Sequence, residues 1–315
     1  VRPTAVFTRI GGGLIVLWLV SLLTFSLLQL VPGDPAELVA GDSASPERVE
    51  QIRVELGLDR PLTTQYTSWL SGIVQGDLGT SVFTGDPVTE AILRAAPATL
   101  SITFVALVIA VVVGVPAGVV AGLRQGSWVD RTVSLLATVG IAMPGFWVAM
   151  LLVLVLALGL SWLPATGYSP IGDGVGEWFS HIVIPAVALG LATAAELARH
   201  ARGCVADVLE RPYIRTARAR GAHPSWLVRH HILRNAAIPV VTVLGLQAGR
   251  LLGGSIVIEM VCGIDGLGTL AINAILQRDF PILQGYVLLS AAIVVTINLV
   301  VDGMYSWLNP KVRTS

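Results

Sequence analysis

Ala98-Thr-Leu-Ser-Ile-Thr-Phe-Val-Ala-Leu-Val-Ile-Ala-Val-Val-Val-Gly-Val-Pro-Ala-Gly-Val-Val-Ala121 runs for 24 residues without one charged side chain. A helix needs about 20 apolar residues to cross the hydrocarbon core of a bilayer, because each residue advances it by about 1.5 Å. This stretch is long enough to span. Five further apolar stretches lie at residues 11–31, 132–158, 182–199, 239–258 and 284–308, the fourth with Pro185 in its first turn and Glu196 near its end. The chain has 315 residues, 54% hydrophobic and 13% charged, with a mean hydropathy of +0.77, more apolar surface than one soluble core needs. The expectation is an all-α polytopic membrane protein with six transmembrane helices. The first stretch is too long for a signal-peptide core and no small-residue cleavage site follows, so it reads as a retained helix.

Positive charge sets the orientation, since Arg and Lys in short loops stay on the cytoplasmic side. Of 20 such residues, fourteen fall in the N-terminal tail, the loop after the second span, the segment Arg199 to Arg234 and the C-terminal tail. Both termini are therefore expected inside a prokaryotic plasma (inner) membrane. The long segment between the first two spans holds ten acidic residues, Asp34 to Glu90, against four Arg, and goes outside. The chain divides into an N-tail and first helix at 1–31, an outer segment at 32–96, a transmembrane domain at 97–308 with a loop at 201–238, and a tail at 309–315.

Within the outer segment, Ser45-Pro46-Glu47 supplies an N-cap, a first-turn proline and an acidic first turn. Val49, Ile52 and Leu56 follow at helical spacing and Gly57 stops the run. Gly76-Asp77-Leu78-Gly79 and Gly85-Asp86-Pro87 mark turns. The segment either packs on its own spans or meets a protein that delivers solute. Cys204 and Cys262 fall on opposite sides of the bilayer, so neither a disulfide nor a metal site is expected.

Two glycine ladders, Gly114, Gly118 and Gly122 on the second span and Gly245, Gly249 and Gly253 on the fifth, recur every four residues and predict close helix packing. Pro116 and Met143-Pro144-Gly145 predict kinks, as bends or as gates. Arg250 lies eleven residues past Pro239, about 16 Å into the fifth span and near mid-membrane. Gln247 and Gly254, at helical spacing, are expected to share its face. An Arg at that depth costs at least ~2.5 kcal/mol on insertion. It either attracts a substrate carboxylate or other anion on a transport path, or closes an ion pair with Glu196 or a neighbouring subunit.

The loop between the fourth and fifth spans is the most informative. It reads Tyr213-Ile-Arg-Thr-Ala-Arg-Ala-Arg-Gly221 and continues to Arg229-His-His-Ile-Leu-Arg-Asn-Ala-Ala-Ile-Pro239. Retention on the cytoplasmic side, with anionic membrane lipid as partner, needs only a few such charges. Apolar Ile214, Ala217, Trp226, Leu227, Ile232 and Leu233 among the Arg predict two short amphipathic helices joined at Gly221, a surface for a soluble partner.

These residues resemble the cytoplasmic coupling segment of permease subunits in the dipeptide/oligopeptide/nickel branch of binding-protein-dependent ABC importers, such as dipeptide permease B. Pro32-Gly33-Asp34-Pro35, Leu56-Gly-Leu-Asp-Arg-Pro61, Gly76-Asp-Leu-Gly-Thr-Ser81, Pro97-Ala-Thr-Leu100, Pro144-Gly-Phe-Trp147, Gly266-Leu-Gly268 and Asn298-Leu-Val-Val-Asp302 resemble that family in the same order. The resemblance implies a type I ABC importer permease fold and a non-catalytic subunit that forms half of a translocation path for di- or oligopeptides, nickel chelates or related small polar solutes. Implied partners are a second homologous permease, two cytosolic ATPase subunits or one fused ATPase carrying ATP and Mg, and an extracytoplasmic solute-binding protein; no nucleic acid is implied. The matching ATPase-coupling positions are Tyr213, Arg215, Thr216, Ala217, Arg218, Ala219, Arg220, Gly221, His230, Asn235 and Pro239. Where the general importer signature begins Glu-Ala-Ala, Arg215-Thr216-Ala217 stands here, a form this branch shares. Arg250 departs from the small or apolar residue usual at its place.

The residues themselves agree with an external energy source. The sole lysine is Lys311 and no Gly-x-x-x-x-Gly-Lys-Ser/Thr loop exists, so ATP hydrolysis by a phosphate loop falls to other chains. The alternative, an ion-gradient-driven secondary transporter or channel, calls for mid-membrane acids and internal repeats, a pattern absent from the sequence. His200, His223, His230 and His231 crowd the basic loop and form no nucleophile or metal cluster, against a membrane-embedded enzyme.

Overall fold

The computed structural model describes residues 3–30, 35–40, 44–55 and 57–308, and they are almost wholly helical. Helix α1 (Pro3–Leu28) is followed by three short helices, α2 (Pro35–Ala40), α3 (Pro46–Glu55) and α4 (Leu62–Val74). The expected cap of α3 is present: Ser45 Oγ accepts from the Arg48 amide at 3.4 Å, and Ile52 is buried. Leu56 and the Pro32-Gly33-Asp34 stretch lie outside the described residues. Helix α4, which the sequence reading did not single out, leans on α1. Tyr66 and Ser21 share a hydroxyl hydrogen bond of 2.9 Å, and Phe25 meets the rings of Tyr66 and Trp69 at 5.4 and 5.8 Å.

Helices α5 (Val88–Ile109) and α6 (Val115–Leu123) form one span, joined by a π turn at Ala110–Gly114. Pro116 lacks an N–H and its ring crowds the carbonyl four residues back; the widened turn lies where that crowding falls, and the helix continues. The third stretch behaves otherwise. Helices α7 (Trp128–Ala142) and α8 (Gly145–Leu152), the latter prolonged by a π turn to Gly159, meet at 98°. Met143 is extended, φ −80° and ψ 126°, as the residue before a proline prefers, so the expected kink is a full break between two helices.

Helix α9 (Val175–Leu209) is longer than the stretch 182–199 and keeps Pro185 inside it. It leads to α10 (Pro212–Ala219) and α11 (Pro224–Leu227), then through a π turn at Val228–Ile232 into α12 (Leu233–Val261). Helices α13 (Leu267–Gln277) and α14 (Phe280–Leu308) complete the chain. Among the described residues five helices are long and apolar enough to cross a membrane, and the bent α7–α8 pair, taken as one span, brings the number to six.

Helix α9 is the hub, packing on α5, α6, α7, α8 and α12. Its contact with α5 and α6 explains the first glycine ladder. A Cβ added at Gly114 or Gly118 would overlap the carbonyl oxygen of Ala194 or Ala198, and one at Gly122 would lie 2.8 Å from that of Arg202. The two helices run parallel with their backbones touching every fourth residue. Where the seam ends, the Arg202 guanidinium clasps the buried Asp130 carboxylate of α7, which also accepts from the Gly126 amide at 3.0 Å.

The second ladder differs from its expectation. A Cβ at Gly245 would meet Val301 of α14 at 2.5 Å, one at Gly249 only ordinary contact with Val294 at 3.7 Å, and one at Gly253 nothing within 4 Å. Beyond Gly245 the ladder borders a cavity of about 540 Å³ shared with α1 and α14, so it is a packing seam at one end alone.

At the end of the bundle that carries α4, two carboxylates pin the short helix α13. Glu259 is fully buried and accepts from Thr99 Oγ1 at 2.7 Å and from the amides of Gly268 and Thr269 at 2.8 and 3.1 Å, at the first turn of α13. A Cβ on Gly266 would lie 2.5 Å from Glu259 Oε2, which is why Gly266-Leu-Gly268 carries glycine on both sides. Past the other end, Asp279 accepts from the Ser81 hydroxyl and, at 3.4 Å each, from the amides of Val82 and Ile282. The turn Gly76–Ser81 is thereby tied to the start of α14.

Candidate functional site

Two regions carry the residues that the sequence singled out, and they lie on different parts of the bundle. The first is the basic segment after α9. That helix runs straight on to Leu209, so residues 201–209 of the expected loop are its last turns. Helix α10 is then folded back by one side chain. Ile214 is fully buried among Val205 and Val208 of α9, Leu123 of α6, and Leu227 and Ile232. Around it, Tyr213, Arg215, Thr216, Arg218, Ala219 and Arg220 are exposed, and Ala217 is half-buried.

Gly221 ends α10 with φ +81°, in the left-handed region that a residue with a Cβ enters at a cost of about 1 kcal/mol. Its amide bonds to the Arg218 carbonyl at 3.0 Å and the Ala222 amide to that of Ala217 at 3.1 Å, the paired cap that closes many helices. Helix α11 then passes through the π turn into α12 without a break. The second of the two expected short helices is thus α11 with the π turn, continuous with α12 rather than set apart from it. Trp226 stacks on His230 with ring centroids 5.2 Å apart, and the His230 Nδ1 lies 3.2 Å from the Trp226 carbonyl. The side chains of Asn235 and Pro239 lie outside the described residues.

Charge on this surface is one-sided. No acidic residue occurs between Glu210 and Glu259, while Arg211, Arg215, Arg218, Arg220 and Arg229 are all exposed. Tyr213, Thr216, Ala217, Arg220, Ala222 and Trp226 border a depression of about 460 Å³. Arg211 stands at the helix N-cap, where a cation opposes the helix dipole, and no side chain caps the turn. Helix stability alone does not account for that placement.

The second region is one face of α12. Arg250 is exposed, in line with exposed Leu246, Gly253, Gly254, Val257 and Met260. Gln247 is 6% exposed and turned into the bundle, so the expected trio Gln247, Arg250 and Gly254 is divided: 60° around the helix from Arg250, toward α9, is already packed interior. Among the described residues Arg250 forms neither an ion pair nor a hydrogen bond, and the pairing with Glu196 that the sequence left open is not made.

Sequence reasoning missed the anchors: Glu259, Asp279 and the Asp130–Arg202 pair. The signal for Asp130 was available, since Ser127 three residues before it marks a cap.

Residues 114–314 match the family described as binding-protein-dependent transport system inner membrane component, and residues 4–103 match its N-terminal companion family. A putative peptide transport system permease protein of Brucella abortus (strain 2308) is 42% identical over 308 residues, 98% of either chain. The glutathione transport system permease protein GsiC of Escherichia coli (strain K12) is likewise 42% identical over 98% of both chains. Among solved structures, the inward-facing MetNI methionine ABC transporter aligns with a TM-score of 0.56 at 21% identity, covering 69% of this chain and 96% of that one, a likeness of fold. The chain belongs to the family of binding-protein-dependent transport system inner membrane components.

Proposed function

We propose that this chain is the transmembrane permease subunit of an ATP-driven importer for peptides or a related small polar solute, and that α10 with its flanking residues is where cytosolic ATPase subunits dock. The observation that carries the docking site is the construction of α10: one fully buried anchor, Ile214, under a face of exposed arginines with no acid beside them. Such a surface favours an acidic groove on a partner, and its anchor couples any push directly to the ends of α6 and α9. The peptide-type names of its full-length relatives support the solute class.

In this reading a second homologous permease completes the path, a solute-binding protein delivers cargo at the α4 end, and both termini lie on the ATPase side. ATP and Mg belong to the partner subunits. Closure of the ATPases on ATP would favour one arrangement of the helices and release the other, as differential binding requires. Native mass spectrometry of the complex, purified in mild detergent from its own host, tests the assignment. The expected particle contains this chain, one related permease and two ATPase domains. A homo-oligomer without ATPase that moves solute in vesicles without ATP would instead establish the gradient-driven transporter.

A further inference from the structure

We infer that Arg250 binds the carboxylate of the solute as it crosses the membrane, an inference that rests on the importer reading above. The apolar part of α12, Val240–Val261, is 22 residues long, and Arg250 stands ten residues into it, about 15 Å along a helix of about 33 Å. A guanidinium at that depth is not left in hydrocarbon; it faces water, a counter-ion or a ligand. Within this chain it has no counter-ion among the described residues, and its side chain is exposed. The exposed face of α12 therefore borders something polar.

The neighbours on that face say what fits. One turn further along, Gly253 and Gly254 present no side chain; a Cβ at Gly253 would meet nothing within 4 Å, and one at Gly254 only Leu189 Cδ1 at 3.3 Å. Leu246 and Val257, both exposed, flank Arg250 on the two sides along the helix. The result is a single cation in an apolar collar, with the side-chain-free backbone of Gly253 one turn along. That arrangement fixes one anionic group by a bidentate, charge-assisted contact and reads little else. A short peptide with a free C-terminal carboxylate and variable side chains has that chemistry.

The complete complex, with its partner permease, ATPases and binding protein, is reconstituted in liposomes, and ATP-driven uptake of trialanine is compared with that of trialanine amide. In the wild type the acid is favoured. Arg250→Gln is expected to lower the acid-to-amide uptake ratio about tenfold, with the amide carried at its former rate, and Arg250→Lys to fall between. The binding protein's own preference cancels in the comparison between variants. An unchanged ratio in an assembled Arg250→Gln complex overturns the inference. Loss of assembly in Arg250→Gln, restored in Arg250→Lys, overturns it in favour of an ion pair with a neighbouring subunit. Wild-type complex that hydrolyses ATP yet carries neither probe also removes the carboxylate assignment, whereas a wild type that recruits no ATPase refutes the importer reading itself.

Discussion

Thr99 and Glu259 are 160 residues apart in the chain and joined by a hydrogen bond of 2.7 Å. The same Thr99 oxygen accepts from the Leu267 amide at 2.8 Å, while Glu259 takes the amides of Gly268 and Thr269. Two side chains thus satisfy the first three amides of α13, which have no partner within the helix. The carboxylate also sits at the positive end of the helix dipole. One buried acid on α12, one hydroxyl on α5 and one short helix are held as a unit.

Replacing Glu259 separates cap from charge. Glu259→Ala leaves the buried Gly268 amide, the half-buried Thr269 amide and the Thr99 hydroxyl without their acceptor and is expected to destabilise the protein by about 3 kcal/mol. Glu259→Gln keeps one acceptor oxygen and should lose less. Thermal unfolding of the detergent-purified complex checks the order wild type, then Gln, then Ala; equal midpoints for all three would remove the cap from the account.

Glycines of the two ladders should respond unequally. Gly118→Ala drives a methyl into the Ala198 carbonyl, where neither backbone can yield without parting α6 from α9, an overpacking loss of about 1–3 kcal/mol. Gly253→Ala adds a methyl in open space and should leave the unfolding temperature unchanged. A side-by-side melt of the two variants reads the difference.

That inequality shows where sequence is legible and where it stops. Periodicity gave both ladders equal standing, because spacing reports which residues share a face and not what stands opposite. Partners of Gly114, Gly118 and Gly122 come from α9, and those of Gly245 from α14, contacts made between segments roughly 80 and 56 residues apart along the chain. The apolar spans were readable for the opposite reason: the bilayer demands about 20 apolar residues in succession, a purely local property. The break at Met143-Pro144 was signalled by the proline, but its 98° angle depends on packing. Likewise the basic loop announced itself through local charge and apolar spacing. Division of Gln247 from Arg250 did not, since a residue 60° around the helix falls on either side of the boundary between face and interior.

The coupling segment offers a test that separates docking from transmission. Arg215 and Arg218 are exposed and form no ion pair among the described residues, so charge reversal at both, Arg215→Glu with Arg218→Glu, should leave the permease folded and abolish recovery of ATPase subunits with it. Ile214→Ala acts on the other side of the same helix. It removes most of a fully buried side chain from the cluster that ties α10 to α6 and α9, a loss of about 2–5 kcal/mol, which is large for an eight-residue helix. The arginine face remains available for docking, but the helix is no longer fixed to the spans it would move. ATPase subunits are therefore expected to co-purify with Ile214→Ala, and ATP hydrolysis to continue, while solute moved per ATP in proteoliposomes falls several-fold. If hydrolysis and uptake decline in parallel, Ile214 serves assembly alone and the transmission role of α10 is lost.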